Sequence, residues 1–316
     1  MIKKNIHSVT AFAPATCANV AVGFDILGFA FHAVGDSVTL TRRNDNKIVI
    51  EKIDSTEKLP SEIERNTASV VIQKVCEDLR VNHGFSLHIH KKIPLSSGMG
   101  GSAASAVAAL VAFNAFLESP LTAHQLAQYA LLGEEVASGH QHADNIVPCI
   151  FGGFTLVQSA SPIAVIKLPT PDVTCILVHP HLHVPTREAR SVLAASISLK
   201  DYIKQSANLA AFISCLYSND KAILKTSLTD ILIEPQRAQF VPGFYAIKQA
   251  ALEAGALGVS FSGSGPSIFA FADNEAEAAN IANAMCDQLK LLNMNYDYWI
   301  SSISDQAAHV TEIKQS

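Results

Sequence analysis

The chain reads as two domains of mixed helices and strands whose sheets are covered on one face. Three observations lead there. At 316 residues, with 49% hydrophobic and 16% charged content, it is long enough for two well-packed cores. Its segment 84–94, GFSLHIHKKIP, alternates Phe85, Leu87 and Ile89 with Ser86, His88 and His90, the period-two pattern of a strand with one buried face. After Pro169-Thr170-Pro171 the pattern of elements restarts with an apolar run at 173–178, which places a domain boundary near residue 165 and divides the chain into 1–165 and 166–316.

Residues 1 to about 50 are strand-rich, with alternation at Asp36-Ser37-Val38-Thr39-Leu40 and Lys47-Ile48-Val49-Ile50. A helix is expected at 66–80, then the strand at 84–94, then a glycine loop, PLSSGMGGSAA, at 94–104. Gly98, Gly100 and Gly101 let the backbone turn its N–H groups inward. From Ser102 the Ala-rich run SAASAVAALVAFNAFLE is a helix, with Ser102 as its N-cap or a first-turn residue and Ser119-Pro120 as its stop. The first N–H groups of a helix lack intrahelical partners and the macrodipole adds positive charge, so this mouth attracts phosphate. A capped helix after an ordinary glycine turn is the plain alternative. Thr122 and Gln125 form a capping box for the next helix, which carries Glu134 and Glu135 and ends near Gly139. Helices follow in the second half, then a strand pair around Ser262.

Composition and motif spacing exclude several classes. A net charge of −5 with no long basic run argues against nucleic-acid partners. The apolar N-terminal stretch is broken by Asn19, Gly23, Asp25 and Gly28, so neither a signal peptide nor a membrane span is expected, and the chain is placed in the cytoplasm. Six scattered cysteines read as buried thiols in a reducing compartment. A Walker A loop is absent because no lysine separates Gly101 from Ser102. A dinucleotide fingerprint is matched formally by Gly98, Gly100 and Ala103, with Glu118 as ribose partner, but its entry strand is half-exposed and far from the chain start.

Further clusters bear chemistry. Asn19 and Asp25 sit in an otherwise apolar segment, where a buried carboxylate needs a cation. Glu134 and the His140-to-Asn145 run offer hard oxygen ligands that suit Mg²⁺ better than zinc. Arg190 and Arg237 are suited to bidentate recognition of carboxylate or phosphate, or to plain surface ion pairs. The turn at Gly263 and Gly265 is either a simple hairpin or a cradle of backbone amides. His179, His181 and His183 alternate along a strand without a carboxylate behind them and are assigned no metal.

Taken in order, PATCANVAVGFDILG, PLSSGMGGSAA, HADN, IEPQR and SGSGPS resemble the GHMP small-molecule kinases over residues 14–267. The resemblance implies an α+β protein with an N-terminal ribosomal-S5-like domain and a C-terminal ferredoxin-like domain. It also implies phosphoryl transfer from ATP, with Mg²⁺, to the side-chain hydroxyl of L-homoserine. On that resemblance Pro94, Leu95, Ser96, Ser97, Gly98, Met99, Gly100, Gly101, Ser102, Ala103 and Ala104 hold the nucleotide, with Asn66 on the adenine side. Ser102 and Glu134 hold the metal. Asn19, Asp25, His142, Asn145, Thr186, Arg190, Arg237 and Gly263 meet the amino acid, and Asn145, Asp144 and Arg190 carry catalysis. A zwitterionic substrate needs an anion for its ammonium and a cation for its carboxylate, which Asp25 with Arg190 and Arg237 supply. Asn145 stands where several members of the family have an aspartate base, so alignment of hydroxyl and γ-phosphate is expected to dominate, with Asp144 as the base candidate. One departure is Gly101, where many relatives have serine. Apolar C-terminal segments are compatible with a homodimer.

Overall fold

Two long β-rich strands, β1 (Ile6–Ala18) and β2 (Leu27–Arg43), begin the first sheet as an antiparallel pair. In the computed structural model, which describes residues 2–303 and 305–316, β3 (Ile48–Asp54) and β4 (Gly84–His90) extend this sheet. They are parallel, so the connection between them must cross over, and α1 (Thr67–Asp78) makes that crossing. Asn66 caps α1 by accepting from Ala68 N at 3.0 Å, which starts the helix at the expected place. The helix after the glycine loop, α2 (Gly101–Phe116), starts one residue earlier than its alanine pattern indicated. Its N-cap is Gly100, in the left-handed region with φ 67°, so Ser102 lies inside the first turn and is not the cap. The far end also stops short of Glu118, because Leu117 is extended and bridges to Ile2. Glu118 is thus a whole helix length from the loop, which removes the ribose contact of a dinucleotide fingerprint.

The capping box of Thr122 and Gln125 opens α3 (Ala123–Ser138), and Gly139 ends it in the left-handed region. Helices α1, α2 and α3 pack on one another and α2 lies against β1 and β2. Alanines make α2 narrow and buried nearly all round. A β-carbon at Gly133 would lie 2.8 Å from that of Ala106, so glycine there lets α3 close on α2. The short α4 (Ile146–Phe151) leads into β5 (Phe154–Ala160) and β6 (Ile163–Leu168), which join the sheet through β2.

The second sheet holds β7 (Thr174–Pro180) at its centre. Between β7 and the next strand run α5 (Thr186–Ser191), α6 (Leu199–Ser218), α7 (Lys221–Ser227), α8 (Glu234–Arg237) and α9 (Phe244–Glu253). Strands β8 (Gly258–Phe261) and β9 (Ile268–Ala272), helix α10 (Glu275–Leu291) and strand β10 (Tyr296–Ser302) complete it in the order β10-β7-β9-β8. Period two explains its continuous apolar strands. Ile268, Ala270 and Ala272 face a core with α9 and α10, while Phe269 and Phe271 face the other way, into the core that contains Phe29 and Phe154. Buried on both faces, these strands have no polar alternation to show. The last strand, β11 (His309–Gln315), returns to the first sheet and pairs antiparallel with β1. All six cysteines are buried and unpaired, with burial pushing Cys17 up to about 12. No helix among the described residues is long and apolar enough to cross a membrane.

Candidate active site

The glycine loop joins β4 to the N-terminus of α2 and is clamped from two sides. Thr16 N of β1 donates to Met99 O at 3.1 Å, and Ser262 Oγ of the second sheet donates to Gly98 O at 2.8 Å. Ser267 N donates to Ser97 O at 3.1 Å. This closeness decides the glycines. A β-carbon at Gly98 would stand 2.3 Å from Ser262 O, and one at Gly100 would stand 2.0 Å from Thr16 Oγ1, and both residues have positive φ. The consequence is an uncapped helix mouth whose first N–H groups face a cavity of about 670 Å³.

Beneath the mouth lies a buried ion pair that sequence reading missed. Lys91 and Asp36 bond directly; Lys91 also donates to Gly101 O and, at 3.0 Å, to Ser105 Oγ. Asp36 further accepts from the backbone N–H groups of Lys92 and Ile93, both at 3.0 Å. Nothing in the local sequence announces this pair. It follows from strand register: Ser37 pairs with His90, so the next residues, Asp36 within β2 and Lys91 just past β4, meet one step beyond the last pair. Gly101 is part of the same arrangement, since a β-carbon there would lie 2.9 Å from Lys91 Nζ. Lys91 thereby ties the first turn of α2 to β2 through Gly101 O and Asp36.

On the α3 side, the approach allowed by Gly133 brings Glu134 to the loop, where Ser102 Oγ donates to its Oε1. Burial pushes the Glu134 carboxyl above its ordinary range, opposed by the Ser102 bond and the Lys91 charge. A buried carboxylate beside a hydroxyl is a hard-oxygen donor set. Asn66 also borders this cavity, but its carboxamide is engaged: Oδ1 caps α1 and Nδ2 donates to Pro60 O at 2.9 Å.

At the opposite end the chain between β1 and β2 forms a tight turn in which Asn19, Val20, Ala21 and Asp25 all have positive φ. Asn19 holds it: its Oδ1 accepts from Asp25 N at 2.9 Å and its Nδ2 donates to Gly263 O at 2.8 Å. Arg190 of α5 donates to both carboxylate oxygens of Asp25, at 2.6 and 2.7 Å. Arg237 of α8 is buried and donates to the carbonyls of Ala189 and Gly263, at 3.2 and 3.0 Å. Burial first, and then the neighbouring Arg190 charge, lower its pKa to about 10. Thr186 reaches Ser264, Oγ1 to Oγ, at 3.4 Å. Asp25 and Arg190, expected to serve opposite ends of a ligand, are thus already each other's partners.

Between the two ends stands the HADN segment ahead of α4. Asn145 accepts from Thr16 Oγ1 at 2.8 Å through Oδ1, which leaves its NH₂ group as the free donor. His142 lines the cavity, and its pKa is lowered by burial and then by Arg190. Asp144 is buried. Desolvation, then the charges of Asp25 and Glu134, raise its pKa to about 7. Its Oδ1 and the Arg190 Nε are buried polar atoms without a hydrogen-bond partner among the described residues.

Comparison with known proteins shows the family of this chain. Residues 66–153 match the family described as GHMP kinases N terminal domain, and 208–291 match GHMP kinases C terminal. The homoserine kinase of Chloroherpeton thalassium is 44% identical over 96% of this chain and 100% of its own length. This chain belongs to the homoserine kinase family. The Xylella fastidiosa family member is 43% identical over 96% of this chain and 94% of its own. The crystal structure of homoserine kinase from Cytophaga hutchinsonii superposes with a TM-score of 0.93 at 40% identity, covering 98% of both chains. An L. major mevalonate kinase shares the fold at a TM-score of 0.72 and 16% identity, with 96% of this chain and 99% of that one covered. Family membership carries the α+β two-domain GHMP fold with it, as expected from the motifs.

The cavity gathers Asn19, Asp25, Asn66, Ser102, Glu134, His142, Asp144, Asn145, Thr186, Arg190, Arg237 and Gly263 around the glycine loop. Met99, Ala103 and Ala104 are fully buried behind it. The three alternating histidines stay apart from it: His179 bonds Ser267 and His181 bonds Asp297. Besides Lys91 and Asp36, sequence reading missed Thr16 and Phe24. Thr16 lies within the PATCAN motif, where its isolated hydroxyl was the available signal.

Proposed function

We infer that this chain transfers the γ-phosphoryl group of ATP to the side-chain hydroxyl of L-homoserine, giving O-phospho-L-homoserine and ADP, a step towards threonine carried out in the cytoplasm. One observation carries the reading: a single cavity has an uncapped helix mouth at one end, an Asp25–Arg190–Arg237 charge cluster at the other, and Asp144 and Asn145 between them. The helix mouth holds the triphosphate, and Lys91 braces it from beneath through Gly101 O. Ser102 and Glu134 suit Mg²⁺, a hard ion that asks for one or two protein oxygens and takes the rest from phosphate and water. When bound, that ion neutralises charge on the β- and γ-phosphates.

L-Homoserine is a zwitterion of the opposite pattern to its site. Its carboxylate faces the guanidiniums of Arg237 and Arg190, and its ammonium faces Asp25, so entry of the substrate exchanges one ion pair for two. The hydroxyl oxygen then attacks the γ-phosphorus as the bond to the β-bridging oxygen breaks, and ADP takes that electron pair. The transition state is loose, so alignment supplies most of the rate. Asn145 donates its NH₂ to the reacting oxygens. Asp144, whose pKa is raised to about 7 by burial, takes the hydroxyl proton on its carboxylate. A second GHMP activity, on mevalonate or a sugar, would leave Asp25 without an ammonium to meet.

The test is ADP release measured side by side with L-homoserine, mevalonate, galactose and L-threonine. The expected result is a kcat/KM for L-homoserine at least about hundredfold above mevalonate and galactose, which have no ammonium to replace Arg190 beside Asp25, and above L-threonine, whose hydroxyl stands one carbon closer to the ammonium. Comparable turnover of mevalonate, which has no amino group, would overturn the assignment.

A further inference from the structure

Phe24 immediately precedes Asp25 in a turn that Asn19 closes. Its ring does not line the cavity. Instead both arginines of the substrate end stand over it: the guanidinium carbons of Arg190 and Arg237 are each 5.1 Å from the ring centroid. These residues come from three separate parts of the chain, and both cations meet on one aromatic side chain.

The electrostatics require something of this kind. Two guanidiniums that are to serve one carboxylate must be held close together while the site is empty, and like charges repel. Arg190 is neutralised by Asp25. Arg237 is buried, and its hydrogen bonds go to uncharged carbonyls of Ala189 and Gly263. Among the described residues no carboxylate lies within ion-pair distance of it. A π face attracts both cations without offering an anion that the substrate carboxylate would have to displace. It also fixes two long side chains that otherwise lose considerable rotamer freedom on binding.

We propose that Phe24 is a positioning residue that pre-sets Arg190 and Arg237 for the carboxylate of the amino-acid substrate, acting through the electron density of its ring. The inference rests on the reading that these two arginines receive that carboxylate. It assigns amino-acid recognition to a residue that touches neither substrate nor nucleotide.

The experiment replaces Phe24 with mono-, di- and trifluorinated phenylalanine, which drain the π face stepwise at nearly constant size. KM for L-homoserine should rise with each fluorine, reaching about three- to fivefold for the trifluoro ring, while KM for ATP and kcat stay within about twofold. Phe24→Leu should raise the same KM about tenfold or more, and Phe24→Tyr should restore it. A flat fluorine series would overturn the proposal and reduce Phe24 to packing, and because fluorination hardly changes shape that outcome does not depend on Phe24→Leu folding. Arg237→Ala is measured alongside. If it leaves KM for L-homoserine unchanged, the carboxylate reading itself fails; if it raises that KM while the fluorine series is flat, only the role of Phe24 fails.

Discussion

Replacing Asp144 by asparagine should make this protein more stable and less active, and the two effects have one electrostatic origin. Asp144 is 4% exposed, and its pKa of about 7 stands well above its ordinary 3.8, chiefly through burial and then through the charges of Asp25 and Glu134. A folded-state pKa above the unfolded value means that the folded protein binds the proton more tightly. The associated stability is therefore fully present below the unfolded pKa and is lost as pH rises towards about 7. At about 1.4 kcal/mol per tenfold change in proton affinity, keeping this carboxylate ionised costs the fold up to about 4 kcal/mol above that pH. Asparagine does not titrate. The stability advantage of Asp144→Asn should grow by about 2–3 kcal/mol between pH 5 and pH 8, or about 5 °C in the difference of Tm for a chain of this size. Thermal unfolding of both proteins at the two pH values measures it. A Tm gap equal at pH 5 and pH 8 would refute the claim that a costly buried charge sits at this position. The kinetic counterpart is a fall of about hundredfold in kcat, with loss of the acidic limb that wild-type kcat/KM should show near pH 7. A fall within about threefold would take Asp144 out of proton transfer and leave alignment as the whole mechanism.

Other expectations follow from the same geometry. Gly100→Ala places a β-carbon 2.0 Å from Thr16 Oγ1 and 2.8 Å from Asn145 Oδ1 at a φ of +67°. It should break the Thr16–Asn145 bond and cut kcat/KM for ATP by about hundredfold or more, and retention of activity within about threefold would show that the loop tolerates a side chain there. Asp36→Asn leaves the Lys91 ammonium buried without its counter-charge, so urea unfolding should report a loss of about 3–5 kcal/mol. A loss below about 1 kcal/mol would show that the ion pair contributes little to the fold. Glu134→Gln should move the magnesium dependence of turnover to about tenfold higher concentration, and an unchanged titration would remove Glu134 from the metal site.

The readable part of this molecule was whatever depends on a few neighbouring residues. The capping box of Thr122 and Gln125, the left-handed stop at Gly139 and the alternation of Phe85, Leu87 and Ile89 are local events, and each stands where its pattern put it. The phosphate-attracting helix mouth was legible for the same reason, since glycine geometry and alanine propensity act over one or two turns. Even here the helix start shifted to Gly101, because the cap is a left-handed glycine whose neighbours are β1 and the second sheet. The strands of the second sheet showed a continuous apolar run and hid their two-faced burial, with Phe269 turned towards one core and Ala270 towards the other.

Motif order indicated which residues gather, while their mutual chemistry was a matter of packing. Asp25 carried no sign that Arg190, 165 positions later, would already be its partner. Asp36 and Lys91 are 55 positions apart and meet only because two strands pair in one register. The pKa of Asp144 depends on which charges surround it and on the absence of water, neither of which a linear chain specifies. Composition and local pattern thus established the elements, the phosphate loop and the family likeness. The ion pairs, the two unmet polar atoms and the stacking of two arginines on Phe24 arose from tertiary contacts, because electrostatic energies depend on distance in space and on burial, and sequence separation constrains neither.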